Sequence, residues 1–298
     1  ITTHPIAKME QENVIHIEFD EHHAAEDAER IIKMAIDNFK NRGAEVMIPQ
    51  HKAPLIAGFG VESTEYHLGG SFRGTYYTLN DNIINGRIRG VAGVVGCNNA
   101  RTQHNRDHIA ICKELIKNDV LVLTTGCTAI ACAMEGLLTP EAAAVHAGQG
   151  LAEVCETVGI SPVLHLGSCV DNSRILLAAT EVVKAGGLGN DISEWPVAGS
   201  APEWMSEKAI SIGHYFVSSG VYTVFGVSLP TSGAPVFHDY ITKDLEEIYG
   251  GMWDVEPDPI KHAHMMIAHI DKKRKELGID KARERVLMDM ASRQALEA

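Results

Sequence analysis

Residues 91–96 read VAGVVG, a continuous run of small apolar side chains that leads directly into Cys97. A run of this kind is typical of a strand that is buried on both faces of a parallel sheet. Two more apolar runs follow along the chain, VLVLTT at residues 120–125 and PVLHLG at residues 162–167. Helical patterns separate the runs. This alternation predicts an α/β fold, a doubly wound parallel sheet of Rossmann-like type with right-handed crossovers.

Similar patterns extend the prediction to both ends of the chain. A strand at 14–19 and a helix at 24–39 are expected to form the C-terminal end of a preceding α/β domain over residues 1–55. Residues 56–298 are then the Rossmann-like domain, entered through a connection at residues 50–78. Within it the patterns predict further strands at 195–199 and 221–227 and helices at 79–85, 104–117, 129–136, 140–158, 173–185, 202–219, 241–249 and 259–277.

The composition excludes several classes of protein. With 298 residues, 45% of them hydrophobic and 22% charged, the chain is neither disordered nor a small disulfide-stapled fold. A net charge of −13 argues against general nucleic-acid binding, because phosphates would be repelled. No apolar run reaches the roughly 18 residues that a membrane helix needs. The first residues lack Met and a secretory signal, so we expect a chain that begins partway through a longer cytoplasmic protein. Its six cysteines are then thiols or metal ligands.

Three of the six cysteines follow predicted strands. Cys97 comes after the first apolar run, Cys127 after the second and Cys169 after the third. Because the carboxyl ends of parallel strands face one crevice, we expect these three thiols to meet at one edge of the sheet. Thiolates that converge in this way suit soft metals, above all iron–sulfur clusters. The alternative is that each is a small buried hydrophobic side chain, which is the commoner role of a single cysteine.

Other candidate residues have weaker patterns. Lys208 lies early in a predicted helix, where it is either a solvated side chain or a cation near the same edge of the sheet. His104 and His108 stand one helical turn apart, a spacing more common on a polar surface than in a metal site. Cys112 and Cys155 fall inside predicted helices and are assigned to the core. Metal ligation is equally weakly supported for a fourth cysteine and for three histidines of a late helix, namely Cys132, His262, His264 and His269.

Five segments together resemble the nickel–iron carbon monoxide dehydrogenases, and the resemblance covers most of the chain from about residue 14 onward. They are NDNIING at 80–86, GVVGCNN at 93–99, LTTGC at 123–127, GSCVDNSR at 167–174 and APEWMSEKA at 201–209. The resemblance implies an active site that contains a nickel–iron–sulfur cluster of NiFe4S4 composition. In such a site Cys97 and Cys127 bind irons and Cys169 holds the nickel. Lys208 lies beside the nickel, where it stabilises bound carbon dioxide or acts in proton transfer.

The resemblance also implies segments and partners beyond this sequence. In the family an N-terminal helical domain carries further 4Fe-4S relay clusters, and a middle domain supplies one His and two Cys to the active cluster. This chain corresponds to the end of the middle domain and the C-terminal domain. The remainder of the subunit or a partner chain would complete the site. The implied enzyme is a cytoplasmic homodimer that interconverts CO and water with CO2 and exchanges electrons with a carrier such as ferredoxin.

Two other functions stay open at this stage. An iron–sulfur oxidoreductase of the hybrid-cluster type has a similar layout, although the segment at 169–174 and the Lys208 motif favour the dehydrogenase. A truncated α/β module without metal would instead serve as a scaffold or an assembly partner. Nickel with iron and sulfide would indicate the dehydrogenase, iron alone the hybrid-cluster type, and absence of metal the scaffold.

Overall fold

A computed structural model of the chain describes residues 1–3, 8, 10–18, 20–43, 46–70 and 74–281. The chain divides into two compact units, Ile1–Lys52 and Ala53–Ala298. In the first unit the helix predicted from the apolar spacing is present as α1 (Ala24–Asn38), followed by one 3-10 turn at Phe39–Asn41. Within the described ranges, every helix is too short or too polar to span a lipid bilayer.

The strand predicted at 14–19 is wrong for the part of this segment that the structure describes. The backbone there makes a single parallel bridge, between Thr2 and His16, and the side chains of these two residues are 3.0 Å apart at Thr2 Oγ1 and His16 Nδ1. Alternation of apolar residues favours a strand only where a neighbouring strand can continue the ladder, and a single bridge does not provide one. Phe19, at the end of the predicted strand, lies outside the described residues.

The second unit is built around a six-stranded sheet with the strand order β3-β2-β1-β4-β5-β6. Val91 at its centre pairs with Leu121 on one side and with Val197 on the other. All neighbouring strands are parallel, so the predicted doubly wound α/β fold is confirmed. The strands are β1 (Gly90–Val94), β2 (Val120–Thr125), β3 (Val163–Gly167), β4 (Val197–Ala201), β5 (Tyr222–Phe225) and β6 (Trp253–Val255).

Helices cover both faces of this sheet. Two adjacent residues of β4 contact helices on opposite faces. Gly199 lies against Phe216 of α9 on one face, and Ser200 hydrogen-bonds His262 of α12 on the other. The sequence patterns did not predict α2 or β6, and a π turn at Tyr240–Asp244 replaces the start of the helix predicted at 241–249. The helices are α2 (Val61–Leu68), α3 (Tyr77–Ile84), α4 (Arg106–Lys117), α5 (Gly126–Met134), α6 (Glu141–His146), α7 (Gln149–Val158), α8 (Ser173–Ala185), α9 (Glu207–Ser218), α10 (Pro235–Asp239), α11 (Leu245–Tyr249) and α12 (Pro259–Glu276).

One predicted helix is broken in two by a contact from a distant residue. The segment at 140–158 forms α6 and α7, which are separated by a turn at Gly148. Oδ1 of Asp119 accepts a hydrogen bond from the backbone N–H of Leu151 at 2.8 Å, so it caps the first turn of α7. Gly148 approaches this carboxylate so closely that a Cβ atom would lie 2.4 Å from Asp119 Oδ1.

The helix predicted at 202–219 starts later than expected, at Glu207. The cause is Glu203, which is fully buried and whose carboxylate accepts hydrogen bonds from Thr102 Oγ1 at 3.0 Å and from the backbone N–H of Asp107 at 3.2 Å. A buried carboxylate needs such partners, and they hold Pro202 and Glu203 in a turn before α9 begins.

Candidate functional site

The three cysteines that follow strands lie where the β–α alternation predicts, at the carboxyl edge of the sheet. We call this edge, formed by the junctions after β1, β2 and β3, the rim. Cys97 lies in the loop between β1 and α4, Cys127 is in the first turn of α5, and Cys169 opens a 3-10 turn after β3. Cys97 and Cys169 are partly buried, whereas Cys127 is exposed.

A cavity brings part of the predicted site together. Cys97, Cys169 and Lys208 all line it. Its inner wall is apolar and includes Ile212 and Phe216 of α9. The sequence suggested three converging thiols, but Cys127 is not among the residues that line this cavity.

The Cys127 junction nevertheless lies close to the Cys169 junction. Gly126, at φ 57°, allows this approach: a Cβ atom there would lie 3.4 Å from both the Cβ and the backbone N of Cys169. A hydrogen bond joins the same two junctions, because Thr125 Oγ1 donates to the side-chain oxygen of Asn172. Asn172 is buried and also lines the cavity. The second and third junctions are therefore linked by direct contact and by a buried hydrogen bond.

The structure places Lys208 beside one of the rim cysteines, with its side chain still exposed to solvent. Nζ of Lys208, in the first turn of α9, lies 3.6 Å from Sγ of Cys169. The ammonium group is exposed, so solvent screens its charge. An ammonium beside a sulfur atom stabilises negative charge on that sulfur and on any anion bound next to it.

Cys169 is held by a turn with its own hydrogen bonds. The backbone N–H of Ser168 donates to the Asp171 carboxylate at 2.8 Å, and the Arg174 guanidinium lies 3.2 Å from the same carboxylate. Gly167, at φ 141°, makes room for this turn, because a Cβ atom there would lie 2.4 Å from Asp171 Oδ2. The segment that follows β3 is thus ordered by local contacts.

His108 connects the first two junctions, a role that the sequence did not indicate. Its ring is fully buried; Nε2 lies 2.9 Å from the carbonyl oxygen of Cys97, and Nδ1 lies 2.9 Å from Oγ1 of Thr128. Burial lowers the pKa of His108, so the ring is neutral near pH 7. Because both nitrogens are engaged within the protein, His108 does not pair with His104 as a metal ligand.

The remaining candidates have structural roles. Cys112 and Cys155 are fully buried in α4 and α7, as predicted, and Cys132 Sγ lies 3.6 Å from Cys112 Sγ. Each histidine of α12 has a partner away from the cysteines: Ser200 for His262, Glu114 for His264 and a stacked Tyr222 ring for His269.

The arrangement of the thiols suits some kinds of metal group better than others. Among the described residues, no three His, Cys, Asp or Glu side chains converge closely enough to enclose one metal ion, which argues against a single zinc. In a cluster each iron takes its own thiolate, so the ligands spread over several metal atoms. Two thiols on one cavity, with a third on the adjoining junction, fit a polynuclear iron–sulfur group.

Comparison with known proteins identifies the family of the chain. The chain is 50% identical over 281 residues to carbon monoxide dehydrogenase 1 of Methanosarcina mazei, an alignment that covers 94% of this chain and 43% of that protein. An as-isolated, nickel-free crystal structure of carbon monoxide dehydrogenase from Thermococcus sp. AM4, produced without the CooC maturase, matches with a TM-score of 0.82 and 50% identity. That match covers 93% of this chain and 43% of the other.

A second similar structure is of acetyl-CoA synthase/carbon monoxide dehydrogenase, with NiZn[Fe4S4] and NiNi[Fe4S4] clusters in closed and open alpha subunits. It matches with a TM-score of 0.83 and 34% identity, over 93% of this chain and 42% of that chain. The chain thus spans less than half the length of the relatives it matches. A model of the Prismane/CO dehydrogenase family matches residues 1–260. The resemblance inferred from the five sequence segments is therefore confirmed, and the chain belongs to the Prismane/CO dehydrogenase family.

Proposed function

We propose that this chain is the C-terminal part of an enzyme that interconverts CO and CO2 at a nickel–iron–sulfur cluster. One observation carries the proposal: Lys208 Nζ lies 3.6 Å from Cys169 Sγ, on a cavity that Cys97 also lines. Thiols and a cation on one cavity suit a reaction in which a soft metal binds carbon while negative charge develops on oxygen. Family membership and the names of the relatives support the same reaction.

In this proposal Cys97 and Cys127 hold irons and Cys169 holds nickel of a cluster of the NiFe4S4 type. When bound, the cluster supplies a metal site for CO and a store for the two electrons of the reaction CO + H2O → CO2 + 2 H+ + 2 e−. Relay clusters of the 4Fe-4S type, in the part of the whole protein outside this chain, would carry the electrons to a carrier such as ferredoxin. A homodimer, a cytoplasmic location and ligands from the rest of the subunit or a partner chain belong to the same proposal.

The chain's own residues bind and orient the substrate and exclude water. Lys208 holds its ammonium beside Cys169, where it stabilises the carboxylate charge of CO2 or transfers a proton at Nζ. Ile212 and Phe216 give the cavity an apolar wall that admits CO and CO2 and restricts water near the thiols. The Thr125–Asn172 hydrogen bond keeps the junctions of Cys127 and Cys169 together.

The two alternatives receive less support. A hybrid-cluster-type oxidoreductase would use similar thiols, but the relatives reported above are named as carbon monoxide dehydrogenases, one of them joined to acetyl-CoA synthase. A metal-free scaffold has no need for an ammonium group placed next to a half-buried thiol at the edge of the sheet.

The test is metal analysis, together with CO-dependent reduction of a viologen dye, on the protein purified without oxygen. We expect nickel, iron and sulfide together with dye reduction. Iron and sulfide that stay nickel-free after incubation with nickel would favour the hybrid-cluster type, because a carbon monoxide dehydrogenase made without its maturase is also isolated without nickel. Absence of metal would favour the scaffold. Replacement of Cys97, Cys127 or Cys169 by Ala should lower the metal content. Cys155→Ala, in the core of α7, is the matched control that should not.

A further inference from the structure

His108 occupies an unusual position between two cysteine junctions. A carbonyl oxygen only accepts hydrogen bonds, so the contact with Cys97 O requires that His108 Nε2 carries the hydrogen and donates it. Nδ1 of the neutral ring is then an acceptor, and the Thr128 hydroxyl donates to it. Thr128 directly follows Cys127 in α5. One buried ring therefore connects the backbone of Cys97 to the residue next to Cys127.

The Cys97 junction depends on such a connection more than the Cys127 junction does. Cys127 lies in the first turn of α5, so helical hydrogen bonds fix its backbone. Cys97 lies in the irregular segment at 95–105, between the end of β1 and the start of α4. A segment without regular structure has many accessible conformations unless side chains restrict it.

Partly buried hydrogen bonds restrict this segment at several points besides His108. Asn98 Nδ2 donates to Asn105 Oδ1 at 2.8 Å, which closes the loop on itself. Asn99 Nδ2 donates to the carbonyl of Trp204 at 3.0 Å, and Thr102 donates to Glu203, so the far side of the loop is attached to the stretch before α9. Of the described side chains in this set, that of His108 is the one with a hydrogen bond to Cys97 itself.

We propose that His108 is a positioning residue that sets the place of the Cys97 thiol relative to Cys127, and so the environment of the metal cluster they share. The effect of His108 on the cluster rests on the proposed function. Its effect on the relative position of the two cysteines does not. Loss of the ring would free the Cys97 carbonyl and the Thr128 hydroxyl together. The loop carrying Cys97 would then open more often, while α5 would keep Cys127 in place.

The variants separate positioning from stability. His108→Leu removes both hydrogen bonds, Thr128→Val removes only the link to α5, and Thr128→Ser retains the donating hydroxyl. His262→Leu is the matched control, because His262 is equally buried and uses both ring nitrogens, toward Ser200 Oγ at 2.7 Å and the Glu256 carbonyl at 3.1 Å. These hydrogen bonds do not reach Cys97, Cys127 or Thr128, although Ser200 lines the same cavity as Cys97. The variant therefore measures the cost of losing a buried histidine near the site without breaking the link between the two junctions.

The first measurement uses metal-depleted protein and the rate at which a maleimide labels each cysteine. For His108→Leu we expect labelling of Cys97 about tenfold faster, because loss of a buried hydrogen bond costs about 1.4 kcal/mol in the equilibrium of local opening. Cys127 labelling should stay unchanged. Thr128→Val should have a smaller effect in the same direction, Thr128→Ser almost none, and His262→Leu none at Cys97. Unchanged Cys97 labelling in both His108→Leu and Thr128→Val would overturn the proposal.

The second measurement uses the metal-loaded enzyme and the electron paramagnetic resonance spectrum of its cluster. His108→Leu and Thr128→Val should change the spectrum of the molecules that still hold metal, whereas His262→Leu should reduce only their number. An unaltered spectrum in the first two variants contradicts a positioning role at the cluster. If the wild-type protein holds no cluster, the proposed function fails, and the labelling rates still decide whether His108 positions Cys97. If His108→Leu does not fold, Thr128→Val decides the question alone.

Discussion

The six cysteines of this chain occupy two contrasting regions of one domain. Three lie at the rim, each at the end of a strand: Cys97, Cys127 and Cys169. The other three are fully buried within helices of the core: Cys112, Cys132 and Cys155. The rim cysteines border a cavity or solvent, and one of them has an ammonium group beside it. The core cysteines have hydrocarbon or another thiol around them.

This contrast shows that surroundings decide what a thiol can do. A thiol becomes a metal ligand or a nucleophile only as thiolate, which needs solvent, a nearby cation or a metal. Burial among apolar groups opposes that charge: it raises the pKa of Cys155 to about 12, and the neighbouring Cys132 thiol together with burial raises the pKa of Cys112. The core cysteines therefore act as small apolar side chains, and only the rim cysteines are suited to chemistry.

The largest expected effect concerns thiol reactivity in metal-depleted protein. Burial raises the pKa of Cys155 to about 12, so at pH 8 almost none of this thiol is ionised in the folded protein. We expect iodoacetamide at pH 8 to modify the rim cysteines first and Cys155 only after unfolding in guanidinium. Mass spectrometry of digested protein measures this order. Rapid modification of Cys155 in the folded protein would remove the distinction between rim and core.

A second prediction moves the comparison to function. Cys169→Ala should lower CO-dependent dye reduction more than a hundredfold, because loss of a direct ligand costs at least as much as the 10–100-fold typical of an outer partner. Its effect on folding should be small, since the side chain is only partly buried. Steady-state kinetics and nickel content measure the first effect, and urea unfolding of the metal-depleted variant measures the second. Wild-type nickel content and activity in this variant would exclude Cys169 as a ligand.

A third prediction concerns the cation at the rim. Lys208→Ala should lower the CO-dependent rate by about tenfold to a hundredfold, because a charge that stabilises developing carboxylate acts mainly in the transition state. Nickel and iron content should stay the same, since the ammonium group is not a metal ligand. Lys208→Arg keeps the positive charge and should recover part of the rate. Equal activity in Lys208→Ala and wild type, at equal metal content, would show that the 3.6 Å contact with Cys169 has no catalytic role.

The sequence predicted the rim better than it predicted the contacts across it. The first five strands lie within short, mostly apolar runs, and a cysteine after such a run lies at the carboxyl edge of a parallel sheet. β6, only three residues long at Trp253–Val255, has too short a pattern to be recognised. The break between α6 and α7 depends on Asp119, which is 32 residues from its partner Leu151. No local sequence pattern predicts a contact between residues so far apart in the chain.

The same limit applies to the site itself. Thr125 and Asn172 are 47 residues apart in sequence, and His108 is 20 residues from Thr128, yet these pairs link the cysteine junctions. Each pair joins two different β–α units, so it depends on how the units pack rather than on the pattern of either one. Cys127 does not line the cavity, although its neighbour Gly126 lies against Cys169, and no pattern in the sequence distinguishes these two outcomes.

The smallest effect tests the core side of the comparison. Cys112→Ala removes a fully buried sulfur that contacts Cys132, and we expect it to lower the free energy of unfolding by about 1–2 kcal/mol through lost packing. Cys127→Ala removes an exposed sulfur and should change it by no more than about 0.5 kcal/mol. Urea unfolding of the two metal-depleted variants compares their stabilities without any contribution from bound metal.

Metal content should show the reverse order, with Cys112→Ala like wild type and Cys127→Ala reduced. A Cys127→Ala variant that loses stability but keeps its metal would place Cys127 in the core group and leave Cys97 and Cys169 as the only ligands from the rim.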